Sequence, residues 1–117
     1  MNAPFRRSLT LLVDGKPVGR VRVTRANIDK VFGTLLPGPG FDSVRRVFEA
    51  AVQQSRHIDA LSDRGPVESR ARDRLMAAYA AIQQLHPAFA ELPQPIEEFA
   101  IEADWSVEVT FVECKRH

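Results

Sequence analysis

Alternating apolar and polar residues predict a β-hairpin near the amino terminus. Residues 8–13 (SLTLLV) and 18–24 (VGRVRVT) are short, contain several β-branched side chains and are separated by the turn sequence DGKP. In the second strand Val21 and Val23 alternate with arginine and threonine, so one face is expected to be buried and the other solvated and cationic. Pro17 and Gly19 favour a position for this strand at the edge of a sheet.

Three later stretches have the apolar spacing of helices. The second is expected to run from Asp42, a suitable N-cap, to about Ser62. The third is expected to span residues 66–86, and the proline-rich residues 86–95 to form a connection. The first is expected to be a short helix, because its apolar residues fall at positions i, i+3, i+4 and i+7, namely Ile28, Val31, Phe32 and Leu35. Gly33 is expected to weaken or end this helix.

The carboxyl-terminal segment has the clearest strand pattern, a strict alternation from Phe99 to Phe111. Roughly fifteen residues is long for one strand, so we expect a bend, a bulge or a turn near Asp104. The predicted order is ββαααβ(β). It corresponds to an α+β fold in which an antiparallel sheet of three to four strands packs against about three helices. Residues 1–117 fit a single domain, with 1–7 and 114–117 expected to be frayed.

The segment GTLLPGPG at positions 33–40 has two glycines with the spacing of a phosphate-binding loop. Such loops bind phosphate through successive backbone N–H groups, and Pro37 and Pro39 each lack one. Pro39 and Gly40 also stand where lysine and serine or threonine are required. We therefore expect a rigid corner rather than a ligand site.

The charge balance argues against nucleic acid and membrane partners. Lysine and arginine total 16 and aspartate and glutamate 15, a formal net charge of +1, so no overall field attracts the protein to a polyanion. The amino-terminal apolar run of about five residues is too short for a signal peptide, and no run approaches the roughly 18 apolar residues of a membrane span. With one cysteine, Cys114, we expect a soluble cytoplasmic protein.

The sequence predicts neither a metal site nor a catalytic residue. Structural zinc needs about four ligands, whereas Cys114 and His117 form an isolated C-x-x-H. His57 and Asp59 are two residues apart on a predicted helix and do not share a face. No G-x-S-x-G sequence is present. We therefore expect no cofactor and favour a protein without catalytic activity.

Acidic and basic residues are segregated along the chain. Residues 91–113 hold seven acids and no base, and residues 6–30 are rich in arginine and lysine. In one interpretation both segments lie in one sheet, where the arginines of the hairpin face the glutamates of the final strand. In the other, the two patches are separate and available to a partner. The candidate partner-binding residues are Glu97, Glu98, Glu102, Asp104, Glu108, Arg20 and Arg22.

The run VDGKPVGRVRVTRANIDKVFGTLLPGPGFDSVRRVFEAA resembles a group of small uncharacterised bacterial proteins. The shared features are a D-G hairpin turn, an aromatic residue before a glycine, a proline-rich corner, and a phenylalanine followed by V-x-x-x-F-E. In this sequence the aromatic residue is Phe32 and the corner spans residues 37–40. The resemblance covers about a third of the chain and implies no activity, cofactor or functional residue.

Three functions are compatible with these observations. Small size and the acidic final third favour a protein-binding module of the immunity, antitoxin or accessory kind, which presents its acidic strand to a protein partner. The alternative is a small enzyme or ligand-binding domain with a pocket between helices and sheet and with Glu102 or Asp104 as acid–base groups. A third is a homodimer that pairs through a sheet edge of the hairpin. Trp105 is open to two interpretations, a core residue or an interface anchor.

Overall fold

The computed structural model describes residues 8–66 and 69–112. The helices are α1 (Arg45–Ser62) and α2 (Ser69–Gln83), and a short 3-10 helix spans Pro39–Ser43. The predicted fraying of residues 1–7 and 114–117 lies outside the described residues. The strands are β1 (Ser8–Val13), β2 (Lys16–Ala26), β3 (Lys30–Pro37), β4 (Pro87–Phe89), β5 (Ile96–Ile101) and β6 (Ser106–Phe111).

The six strands form one antiparallel sheet in the order β4-β1-β2-β3-β6-β5. The two edge strands, β4 and β5, contact each other, so the sheet curls into a nearly closed barrel. The protein is α+β, but the predicted sheet of three to four strands against about three helices is wrong, because the described residues form six strands and two α-helices.

Strand β2 lies inside the sheet, between β1 and β3, and not at the predicted edge. Its proline is tolerated because Pro17 is the second residue of the strand, next to a shift in the register with β1. The outer side of β1 is occupied as well. Its residues Leu11 to Val13 pair with β4, and the backbone N–H and the hydroxyl of Thr10 donate to the carboxylate of Glu91 at 2.7 and 2.8 Å.

The segment predicted as the first helix is strand β3. Its residues Val31, Gly33 and Leu35 are buried and alternate with partly exposed ones, whereas Ile28 is 96% exposed in the turn before the strand. The strand prevails over the helical spacing because β3 pairs with β2 on one side and β6 on the other. A Cβ at Gly33 would collide with the backbone carbonyl of Arg22, so this glycine allows β2 to approach closely and does not end a helix.

Helix α1 and the inner face of the sheet share one core. Phe48 of α1 is fully buried, and its ring lies 5.7 Å from that of Phe99 on β5 in an edge-to-face arrangement. Burial of one such phenylalanine side chain contributes about 1.5–3 kcal/mol to folding. Alternate residues of the strands complete the core, for example Leu9, Leu11, Val21, Val31, Val107 and Val109.

The segment GTLLPGPG is divided between β3 and a corner that leads into the 3-10 helix. The N–H of Gly38 donates to the carbonyl of Val18 at 2.9 Å, and a Cβ on Gly40 would lie 2.5 Å from the carbonyl oxygen of Pro17. The corner is therefore held against β2 at a distance that only glycine permits.

The 3-10 helix anchors the start of α1. Phe41 is fully buried, with its ring 5.3 Å from that of Phe48. The predicted N-cap at Asp42 is wrong, because α1 begins at Arg45 and the Asp42 carboxylate accepts a hydrogen bond from the Arg45 guanidinium at 2.9 Å. Helix α1 ends at Ser62, as predicted. Helix α2 lies within the predicted third helix, residues 66–86.

The carboxyl-terminal alternation is split into β5 and β6 by a turn at residues 102–105, which confirms the turn predicted near Asp104. Trp105 ends this turn with φ of 67°. Its carbonyl accepts a hydrogen bond from the N–H of Leu35 at 2.9 Å, and its indole ring lies 5.9 Å from the ring of Phe41. Trp105 is therefore half-buried and packs against the core.

Replacement of Gly33 by alanine distinguishes strand from helix. In a helix interior Gly33→Ala would stabilise the protein by about 1 kcal/mol. In β3 the added methyl group meets the Arg22 carbonyl, and we expect the free energy of unfolding in urea to fall by about 1–3 kcal/mol. Thr34→Ala, on the solvated face of the same strand, is the control and should cost less than about 1 kcal/mol. A Gly33→Ala protein more stable than the wild type would contradict the strand.

Candidate interaction site

Strand β5 is an edge of the sheet, and α2 covers it. The hydroxyl of Tyr79 donates to the carbonyl of Ile101 at 2.8 Å, and Nε2 of Gln83 donates to the carbonyl of Ile96 at 2.7 Å. Tyr79 and Gln83 are four residues apart and therefore on one face of α2. Because edge carbonyls that are buried need donors, this pair fixes α2 to both ends of β5.

Beside this contact a groove of about 520 Å³ lies between α2 and β5. Its lining is largely apolar, and its α2 wall includes Met76 and Ala80, which are one turn apart. Met76 is 52% exposed. The groove has the size of many ligand sites, about 300–1,000 Å³, and it lies along β5, an edge strand of the sheet.

Two consecutive glutamates, Glu97 and Glu98, form the β5 rim of this groove. In a regular strand neighbouring side chains point to opposite faces. Here the register with β6 shifts between Ile96 and Glu98, so that Glu97 is the extra residue of a β-bulge. Both glutamates are exposed as a result, and the bulge gives the groove an acidic rim.

Glu102 and Asp104 lie in the turn between β5 and β6, outside the lining of the groove. The Ser106 hydroxyl is 2.7 Å from Oε2 of Glu102 and 2.6 Å from Oδ1 of Asp104, and its single hydrogen serves one carboxylate at a time. The Ser106 N–H also donates to Oδ1 of Asp104 at 3.0 Å. The hydroxyl and then the N–H of Ser106 hold the pKa of Asp104 below its ordinary value, which keeps this carboxylate ionised.

Glu108 is not a free acid. The ammonium group of Lys30 on β3 donates to its Oε2 at 2.7 Å. This hydrogen bond, with the opposite charge of Glu108, raises the pKa of Lys30. Glu108 is therefore occupied within the molecule and differs from Glu97 and Glu98, which form no ion pair with any described residue.

The predicted contact of Arg20 and Arg22 with Glu102 or Glu108 is not formed among the described residues, although all four lie on or beside one sheet. Strand β3 separates β2 from β6. Arg22 is opposite Thr34, which is in turn opposite Ser106, and Arg20 donates to the Ser8 hydroxyl. The interpretation in which the basic and acidic patches are separate describes this layout better. Arg20 and Arg22 lie on β2, whereas the acids lie on β5, on β6 and in the turn between them.

The described part of the chain contains no group of three His, Cys, Asp or Glu residues placed to hold a metal ion. Neither α-helix in that part is long and apolar enough to cross a membrane. The predictions that concern Cys114 and His117 lie outside the described residues.

The chain matches none of the protein-family models, curated proteins or solved structures with which it was compared.

The α2 side of the site could be found only in part from the sequence. Tyr79 lies within the predicted third helix, and a buried tyrosine usually has a hydrogen-bond partner. The identity of that partner, the Ile101 carbonyl, depends on strand pairing across the fold. Met76, Ala80 and Gln83 carry no motif, and the bulge at Glu97 has no signal in the sequence.

The single tyrosine makes the contact between α2 and β5 measurable by pH titration. Burial, then the charge of Glu102, raises the pKa of Tyr79 above its ordinary value. In the unfolded chain a tyrosine ionises near a pKa of about 10. Between the two pKa values the unfolded state binds fewer protons, so stability falls as pH rises through that interval.

We expect the tyrosinate absorbance of the native protein to appear at a higher pH than in the urea-unfolded protein. Tyr79→Phe should remove this part of the pH dependence and cost about 0.5–1.5 kcal/mol at neutral pH through the lost hydrogen bond. Identical titration curves for native and unfolded protein would show that Tyr79 is not covered by β5.

Proposed function

We propose that this protein is a non-catalytic protein-binding module, of the immunity, antitoxin or accessory kind, whose acidic β5–β6 hairpin engages a basic surface of a protein partner. The observation that carries the proposal is the free acidic surface formed by Glu97, Glu98 and Glu102. All three are exposed, and none forms an ion pair with a described residue. We further propose that it acts in the bacterial cytoplasm, which is consistent with its single cysteine.

The acidic surface supports binding to a cationic partner for an electrostatic reason. Like charges held close together on a folded chain repel one another, and an approaching cationic surface relieves that repulsion. The field extends about one Debye length, roughly 8 Å at physiological salt, so it acts before contact and raises the association rate. Glu108 contributes less, because Lys30 already neutralises it.

The second candidate is a ligand-binding domain, and the groove between α2 and β5 supports it. The groove is of suitable volume and largely apolar. Its carboxylates are Glu97 and Glu98, however, and the acid–base candidates Glu102 and Asp104 do not line it. The ligand form of this alternative is therefore better supported than the enzyme form.

Charge reversal of the acidic surface tests the proposed function. Immobilised wild-type protein is incubated with bacterial lysate beside the triple variant Glu97→Lys, Glu98→Lys, Glu102→Lys. The control is Asp59→Lys, Asp63→Lys, Asp73→Lys, which changes the net charge equally but on exposed positions of or beside the helices. We expect a bound protein that the wild type and the control retain, that the acidic-surface variant loses, and that associates more slowly at high salt.

Retention of the same proteins by the acidic-surface variant would contradict the proposal, and so would the absence of any specific bound protein. Circular dichroism of all three proteins should be alike, because every substituted side chain is exposed.

A further inference from the structure

We infer that the groove between α2 and β5 is a docking site for a cationic segment of the partner protein that carries large apolar side chains. The inference rests on the proposed function, since it names the feature of the partner that the acidic hairpin would recognise. The apolar side chains would enter the groove over α2, and the flanking lysines or arginines would lie at the β5 rim.

The α2 wall of the groove presents exposed apolar side chains. Of the described residues of α2, only Ala71 and Ile82 are buried. Met76 is about half exposed and Ala80 is exposed, and both line the groove. Alanines leave room for another chain to approach the helix, and methionine adapts its shape to different apolar side chains. A covering segment would therefore bury apolar surface that water now contacts.

The two walls of the groove differ in charge, which determines the sign of the segment that fits. Glu97 and Glu98 form the β5 rim, and the α2 wall contributes Met76, Ala80 and Gln83. The lining also includes His86, which follows α2, but no lysine or arginine of the described residues. Lys30 on β3 is bound by Glu108, so its charge is already paired. A segment with a lysine or arginine beside an apolar residue would bind favourably to both walls. An acidic segment would be repelled by the β5 rim, and a neutral polar segment would offer no apolar side chain to the α2 wall.

One polar atom at the groove lacks a partner. The Gln83 amide donates through Nε2 to Ile96, and this bond fixes which end of the amide faces the strand. The other end, Oε1, is sequestered from solvent and accepts no hydrogen bond from any described residue. A buried acceptor without a donor costs about 1–3 kcal/mol. Gln83 lines the groove, so a bound segment that supplied a donor to Oε1 would offset this cost.

The test uses three fluorescein-labelled decapeptides as probes. The first alternates lysine with leucine, the second has glutamate in place of lysine, and the third has serine in place of leucine. Fluorescence anisotropy with the full chain measures the dissociation constant of each. We expect the lysine–leucine peptide to bind about tenfold more tightly than either of the others, with amide chemical-shift changes at the Met76–Ala80 and Glu97–Glu98 walls.

Two matched variants locate the site. Ala80→Arg places a bulky cation in the groove and should weaken binding of the lysine–leucine peptide about tenfold or more. Ala77→Arg makes the same substitution at an exposed alanine of α2 that does not line the groove, and it should leave the affinity within about twofold. Equal effects of the two variants, binding of the glutamate or serine peptide as tight as the first, or no binding of any peptide would each overturn the inference.

The outcomes also separate this inference from the proposed function. If Glu97→Lys with Glu98→Lys weakens the lysine–leucine peptide while Ala80→Arg does not, the acidic surface binds cations without the groove, and only the docking site is lost. If the groove binds a hydrophobic dye but no peptide, the ligand-binding alternative is favoured and the docking site is overturned.

Discussion

The unpaired edge of β5 is the constraint on which the arrangement of this protein depends. An edge strand leaves carbonyl and N–H groups without partners, and an exposed edge invites pairing with other chains. Here β4 is too short to close the barrel by hydrogen bonds, and the donors come from side chains of α2 instead. Two hydrogen bonds, from Tyr79 and Gln83, therefore tie α2 to β5, while α2 also packs against α1.

The position of α2 explains why a groove and an acidic rim occur together. The helix lies along β5, and the groove lies between them, with Tyr79 and Gln83 among its lining residues. The bulge at Glu97 lies on the same strand and turns two carboxylates outward. The contacts of α2 with β5 and the bulge in β5 thus together produce a surface that is acidic on one wall and apolar on the other.

Local signals predict some elements of this fold well and others poorly. The hairpin turn at DG, the end of α1 at Ser62 and the turn near Asp104 follow from short-range sequence, because turn residues and periodicity act over a few positions. Strand β3 does not, since its apolar residues also fit a helical spacing and the choice depends on β2 and β6. Strand β4 lies in a stretch whose prolines indicate a connection, and it becomes a strand only through β1.

The same distinction applies to the surface. The sequence shows that the acids are concentrated near the carboxyl terminus, but not that Lys30 would neutralise Glu108 or that a bulge would expose Glu97 and Glu98 together. Those facts depend on register, and a shift of one residue in register reverses the face of every side chain. Candidate residues could therefore be listed from composition, whereas their roles required the paired strands.

The pairing of β3 with β6 has a consequence for how the chain folds. Strands β1 to β3 form a local meander, and β5 with β6 forms a local hairpin, but the two are joined by contacts such as Lys30 to Glu108, 78 residues apart. Long-range pairing is slow because the intervening chain must lose entropy first. Until it forms, the meander has an open edge at β3, and during synthesis this edge stays open at least until β6, which follows both helices in the chain, has been made.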